Sequence, residues 1–171
     1  MDVGESYLGG LGAGSHGRHT ITKAIVAIAV EMREQGFRRI RLRHVPAISG
    51  THLTSFIVDV VTPGTALKTD GWIGYAPLQS LGFQHQVTVL PDSPDPAHVL
   101  MPGVHRIAAL LKRGLLRTLQ GRISKDHLLY YLDEFTFRFN RRSSLAHGLL
   151  FSRLISQSVQ TEHTSTHDLI L

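Results

Sequence analysis

The order of the apolar segments is what most limits the folds open to this chain. Residues 3–8 (VGESYL), 22–31 (TKAIVAIAVE) and 38–45 (RRIRLRHV) each read as a strand, the second from a short and nearly continuous apolar run. The third alternates Arg39, Arg41 and Arg43 with Ile40, Leu42 and His44, as a half-exposed strand does. From Ser49, a candidate N-cap, helical spacing runs through Leu53, Phe56, Ile57 and Val60 and stops at Pro63-Gly64. A strand at 65–70 (TALKTD), a short helix about residues 75–81 and a strand at 84–90 (QHQVTVL) follow. Consecutive strands can meander antiparallel, whereas strands separated by helices need crossovers and pair in parallel. The expected class is therefore α/β, a mixed five-stranded sheet flanked by helices.

Past a proline-rich irregular segment at 91–103, the chain turns helical. Residues 104–121 carry a stripe of Val104, Ala108, Leu111 and Leu115 with Ile107 beside it. Residues 124–142 begin with Ser124 as a cap and space Leu128, Leu132, Phe135 and Phe139 helically, although Phe135 to Phe139 also alternates like a strand. A last helix is expected about 149–159, and residues 161–171 form a polar tail expected to fray. A length of 171 residues with 42% hydrophobic content suits one domain, residues 1–160, ahead of that tail.

Composition narrows the function classes. The absence of cysteine excludes a disulfide framework and any Cys-based zinc site. No apolar run approaches the roughly 18 to 20 residues that span a bilayer, so a cytoplasmic protein with no membrane partner is expected. Lys and Arg total 18 against 13 acids, which favours a polyanionic partner such as DNA. Arg39, Arg41 and Arg43 suit phosphate contact, and they suit equally the protection of an edge strand from aggregation.

Several motifs invite a chemical reading. Gly12 to Gly17 (GAGSHG) satisfies G-x-G-x-x-G, but a β-branched strand follows it where the dinucleotide fingerprint needs a helix N-terminus, so it reads as a hairpin loop. Asp70 closes a strand and precedes Gly71, which is ordinary turn or helix-capping chemistry; a carboxylate at a strand end is also a common place for catalysis. His105 and Lys112 fall within about 20° of one helix face and about 10.5 Å apart along its axis. They fit a metal ligand with a phosphate grip, and they fit a solvated helix edge. His163 and His167 lie in the polar tail without a third ligand and read as solvated.

Taken in order, GESYLGG, KTDGWIGY, VHRIAALLKRGLL and YLDEFTFRFNRRSS resemble the successive blocks of bacterial insertion-sequence transposases of the DDE superfamily. The resemblance is to the group with an active-site pattern of Asp, Asp, then Asn, Glu or His, then Lys. It implies an RNase H-like fold, DNA as partner, and DNA cleavage and strand transfer with two divalent ions, Mg²⁺ or Mn²⁺. It further implies assembly as a homo-oligomer in a transposition complex, associated with the nucleoid. Carried onto this chain, the second Asp is Asp70 and the third position His105, both as metal ligands. The family Lys is Lys112, which with Arg113, Arg141 and Arg142 is expected to hold DNA phosphates.

The chain departs from that pattern in two places. The family's first strand reads Asp-Glu-(Ser or Thr)-Tyr, and here Gly4 stands where the first Asp belongs. Asp2 shares Gly4's face but lies about 6.6 Å further along the strand, and Glu5 points to the opposite face, so neither is expected to substitute. A weak or inactive catalytic site is expected. Family members also carry an N-terminal zinc-binding and helix-turn-helix region, so recognition of inverted repeats is not expected from this polypeptide, which resembles a shortened copy.

Overall fold

Alternation inside a single strand explains how one sheet comes to carry two cores. The structure, a computed structural model, describes residues 1–8, 23–88, 97–119 and 127–160. Strands β1 (Asp2–Leu8), β2 (Ala24–Met32) and β3 (Phe37–Val45) are joined as an antiparallel meander. In β2 the run IVAIAV, residues 25–30, is buried throughout because Ile25, Ala27 and Ala29 enter one core while Val26, Ile28 and Val30 enter the other.

The first core is closed by helix α1 (Gly50–Val60), which packs Leu53, Phe56 and Ile57 against the sheet. Ser49 caps it as expected, its hydroxyl accepting from the His52 N–H at 3.2 Å. Strand β4 (Ala66–Asp70), a 3₁₀ helix (Ile73–Leu78) and strand β5 (Gln84–Thr88) follow. The strand order is β3-β2-β1-β4-β5, with β1–β4 and β4–β5 parallel. The sheet is mixed and five-stranded with helices on both faces, as the segment order implied, and it is consistent with the RNase H-like fold that the resemblance implied.

Helices α2 (Ala97–Leu100), α3 (Pro102–Leu119) and α4 (Leu128–Asn140) follow, and α3 and α4 build the second core. Val104, Ile107, Leu111 and Leu115 of α3 join Leu128 and Leu132 of α4 there. Helix α5 (His147–Gln160) comes last. Several expected boundaries shift. The short helix at 75–81 is a 3₁₀ turn two residues earlier, a common form for so short a connector. The segment expected to be irregular up to 103 holds α2 and the start of α3, because Pro102 suits a first helical turn and the cap comes from Asp2, far away in sequence. Helix α4 is described from Leu128, behind His127, and the expected cap Ser124 lies outside the described residues. The glycine-rich GAGSHG loop and the tail with His163 and His167 also lie outside them. Phe135 to Phe139 is helical, and the i, i+4 pair Phe135 and Phe139 stacks at 6.1 Å against the second core.

Candidate active site

Parallel register and strand parity bring Gly4 and Asp70 together. Strands β1 and β4 are held by Lys68 N–H donating to the Met1 carbonyl at 2.8 Å, and their paired residues are Asp2 and Lys68. Two residues further along each strand, and so on the same face, stand Gly4 and Asp70. That face is the α3 face, because the odd residues Val3 and Leu67 enter the α1 core. Strand β1 is also where the strand order reverses direction, and Asp70 ends β4 beside it, the position at which open α/β sheets place their crevices.

A cleft of about 480 Å³ opens there, lined among others by Gly4, Ser6, Asp70, Val104, His105 and Lys112. The structure thus gathers three expected site residues, Asp70, His105 and Lys112, with the departing position Gly4. His105 and Lys112 are both exposed on α3. The Asp70 carboxylate also accepts from the Trp72 N–H at 3.3 Å, so the turn role and the cleft position coexist in one residue.

Helix α3 lies close over β1. A Cβ built on Gly4 would stand 3.1 Å from Val104 Cγ1, so the helix occupies much of the space into which a side chain at position 4 would extend. One residue before Val104, the Gly103 N–H donates to the Asp2 carboxylate at 3.0 Å, so that Asp2 serves as the helix cap. A Cβ on Gly103 would fall 2.8 Å from that carboxylate and 2.7 Å from Met32 Sδ, so only glycine permits this approach. Burial pushes the Asp2 carboxyl up from its ordinary range, and the Gly103 hydrogen bond, the chain's amino terminus and Lys68 oppose the rise.

Both acids beside Gly4 are already engaged. Asp2 is committed to Gly103, and Glu5 accepts the Tyr75 hydroxyl at 2.9 Å on the opposite face. Among the described residues no group of three or more His, Asp or Glu side chains is placed to hold a metal ion. One carboxylate and one imidazole do not fit a pair of hard divalent ions, which require several oxygen ligands each.

The remaining expected DNA contacts separate from this cleft. Arg113 is exposed on α3 next to Lys112. Arg141 and Arg142 sit at the end of α4, against a different groove. Arg142 donates to the carbonyls of Phe37, Arg38 and Phe139 and covers the Phe139 ring at 3.9 Å, while Arg141 covers Phe137 at 3.8 Å. The Arg142 guanidinium thus ties α4 to β3.

Sequence reasoning missed Asn140 altogether. Its side-chain oxygen accepts the Ile40 N–H at 2.7 Å and its amide donates to the Ile40 carbonyl at 3.0 Å. It acts as one residue of an added strand on the open edge of β3. The contact spans 100 positions of sequence, so no local pattern announces it.

A family model of the ISXO2-like transposase domain matches residues 1–140. No curated protein matches the chain. The chain belongs to the ISXO2-like transposase family, insertion-sequence transposases of the DDE type, and its place there is in transposition.

Proposed function

We propose that this member of the ISXO2-like transposase family is a catalytic domain for DNA cleavage and strand transfer, impaired because Gly4 replaces the first catalytic Asp. Asp70 is the surviving carboxylate, His105 occupies the third position, and Lys112 and Arg113 hold DNA phosphates through charge. The observation that carries the reading is the register. Gly4 and Asp70 lie on one face of adjacent parallel strands, beneath the helix that bears His105 and Lys112. An acid at position 4 would complete a clustered site there, and glycine supplies no ligand.

A noncatalytic, DNA-binding form of the transposase is the second reading. It is favoured by the engagement of both carboxylates beside Gly4, Asp2 by the Gly103 N–H and Glu5, at the cleft wall, by the Tyr75 hydroxyl. Plasmid nicking and oligonucleotide strand transfer with Mg²⁺ or Mn²⁺ test the two together. No activity with salt-dependent DNA binding is the expected result. Metal-dependent nicking that Asp70→Ala abolishes would refute the impairment, and failure to bind DNA at low salt would refute both readings.

A further inference from the structure

Helix α5 presents an apolar face that its own fold leaves uncovered. Phe151, Leu154, Ile155 and Val159 are 48 to 80% exposed and fall within about 140° of one side, a sector interrupted by Ser158, while Arg153, Ser156 and Gln157 lie on the other side. A helix with this pattern requires a partner surface for its apolar side.

The same chain also carries an unfilled apolar groove. A cavity of about 670 Å³ runs between α3 and α4, and Leu110, Leu115, Tyr131, Phe135 and Phe139 are among its walls. Leu150, in the first turn of α5, stands at its rim. Helix α5 therefore starts beside the groove, yet its later apolar residues remain exposed.

We propose that α5 of one copy of this chain docks into the α3–α4 groove of a second copy, and that the second copy's α5 docks reciprocally. The two surfaces have matching chemistry and occur once each on every chain, so a two-fold exchange covers both, as in domain-swapped dimers. The dimensions agree. The 14 residues of α5 make a rod about 21 Å long. Four large side chains on each of two helices, at roughly 100 Å² apiece, bring about 800 Å², and the groove walls that they cover carry the total to the roughly 1,000 Å² a specific interface needs. The proposal is independent of cleft chemistry, so its failure leaves the reading of Gly4 and Asp70 intact.

Gly114 gives a clean test. It lines the groove, is exposed, and a Cβ built on it meets nothing within 4 Å. Gly114→Phe fills the groove without disturbing the core and replaces a poor helix former. In sedimentation velocity across a concentration series, the full chain is expected to dimerise. Gly114→Phe, and separately Leu154→Glu with Ile155→Glu, are expected to weaken the dimer at least tenfold while circular dichroism stays unchanged. Because the chain has no cysteine, Gly114→Cys with Leu154→Cys offers the groove–helix pair, formed twice across a reciprocal dimer, and each single variant is the control that should not cross-link. Under oxidation a covalent dimer on a non-reducing gel is expected. A monomeric wild type, a dimer unmoved by both sets of variants, or a disulfide closed within one chain would each overturn the proposal.

Discussion

Restoring the missing acid with Gly4→Asp tests the mapping of the cleft and has a magnitude that can be worked from its surroundings. The new Cβ meets Val104 Cγ1 at 3.1 Å, a few tenths of an ångström inside ordinary contact, so Val104 or the helix must shift. Overpacking of this kind costs about 1 kcal/mol, and a second carboxylate facing Asp70 in a buried position adds a similar amount while no cation is present. With the chelator EDTA present, the variant should melt roughly 4 to 8 °C below the wild type. Adding Mg²⁺ at about a hundred times its dissociation constant returns about 2.7 kcal/mol, which approximately cancels that loss. Differential scanning calorimetry with and without Mg²⁺ reads both quantities. The wild type, with one carboxylate in the cleft, should show no comparable ion-dependent rise. Combining Gly4→Asp with Val104→Ala should recover part of the packing cost, a coupling of about 1 kcal/mol between residues in contact. An equal Mg²⁺ response in both proteins, or none in the variant, would show that position 4 does not face Asp70 as the register requires.

Three further substitutions separate the roles assigned above. Lys112→Ala should lower DNA affinity and reduce the slope of log K against log salt by about 0.9, one phosphate contact, in fluorescence anisotropy titrations; an unchanged slope would remove Lys112 from the DNA surface. Arg142→Ala should leave that slope unchanged and lower the melting temperature, because its guanidinium is engaged by the Phe37, Arg38 and Phe139 carbonyls. Asn140→Ala should cost about 2 to 3 kcal/mol by leaving the Ile40 N–H and carbonyl unpaired, and light scattering should register more aggregation once the β3 edge opens. The raised carboxyl of Asp2 stabilises the fold most below its unfolded value of 3.8, and that contribution is lost as pH rises through the folded value. Asp2→Asn keeps an acceptor for Gly103, so it should melt higher than wild type near pH 7, with the gain disappearing toward about pH 4. A lower melting temperature near neutrality would mean that the charged hydrogen bond to Gly103 outweighs the burial of the carboxylate.

What could be read from the sequence is what repeats with a period. The β2 run, the Leu53, Phe56, Ile57 spacing of α1 and the α3 stripe are all local patterns, and each sits in the core it implies. The order of those elements then restricts the sheet, since a meander followed by crossovers leaves few pairings. The cleft residues Asp70, His105 and Lys112 could be named through the family resemblance, since spacing alone fitted a turn acid and a solvated helix edge equally, but the space around them could not. That space depends on how closely α3 lies over β1. Two glycines and an acid set this distance: Gly4 admits Val104, Gly103 admits Asp2, and Asp2 caps the helix across 101 positions of sequence. None of the three shows a period or a local motif.

The same reasoning separates the basic residues that share one label in the sequence. Lys112 and Arg142 both read as phosphate contacts, yet Lys112 lies exposed on the cleft while Arg142 is held by three carbonyls and an aromatic ring. Arginine can satisfy several carbonyls at once with its planar fork, and this makes it as suitable for tying a helix end to a strand edge as for gripping DNA. In the FNRR stretch Asn140 supplies a strand's hydrogen bonds and Arg142 closes the end of the helix. Fixing α4 in this way holds Leu128 and Leu132 in the core that Leu111 and Leu115 of α3 share, on the sheet face that carries the cleft. A change in FNRR should therefore loosen that shared core, read as a lower melting temperature with the salt slope of DNA binding kept.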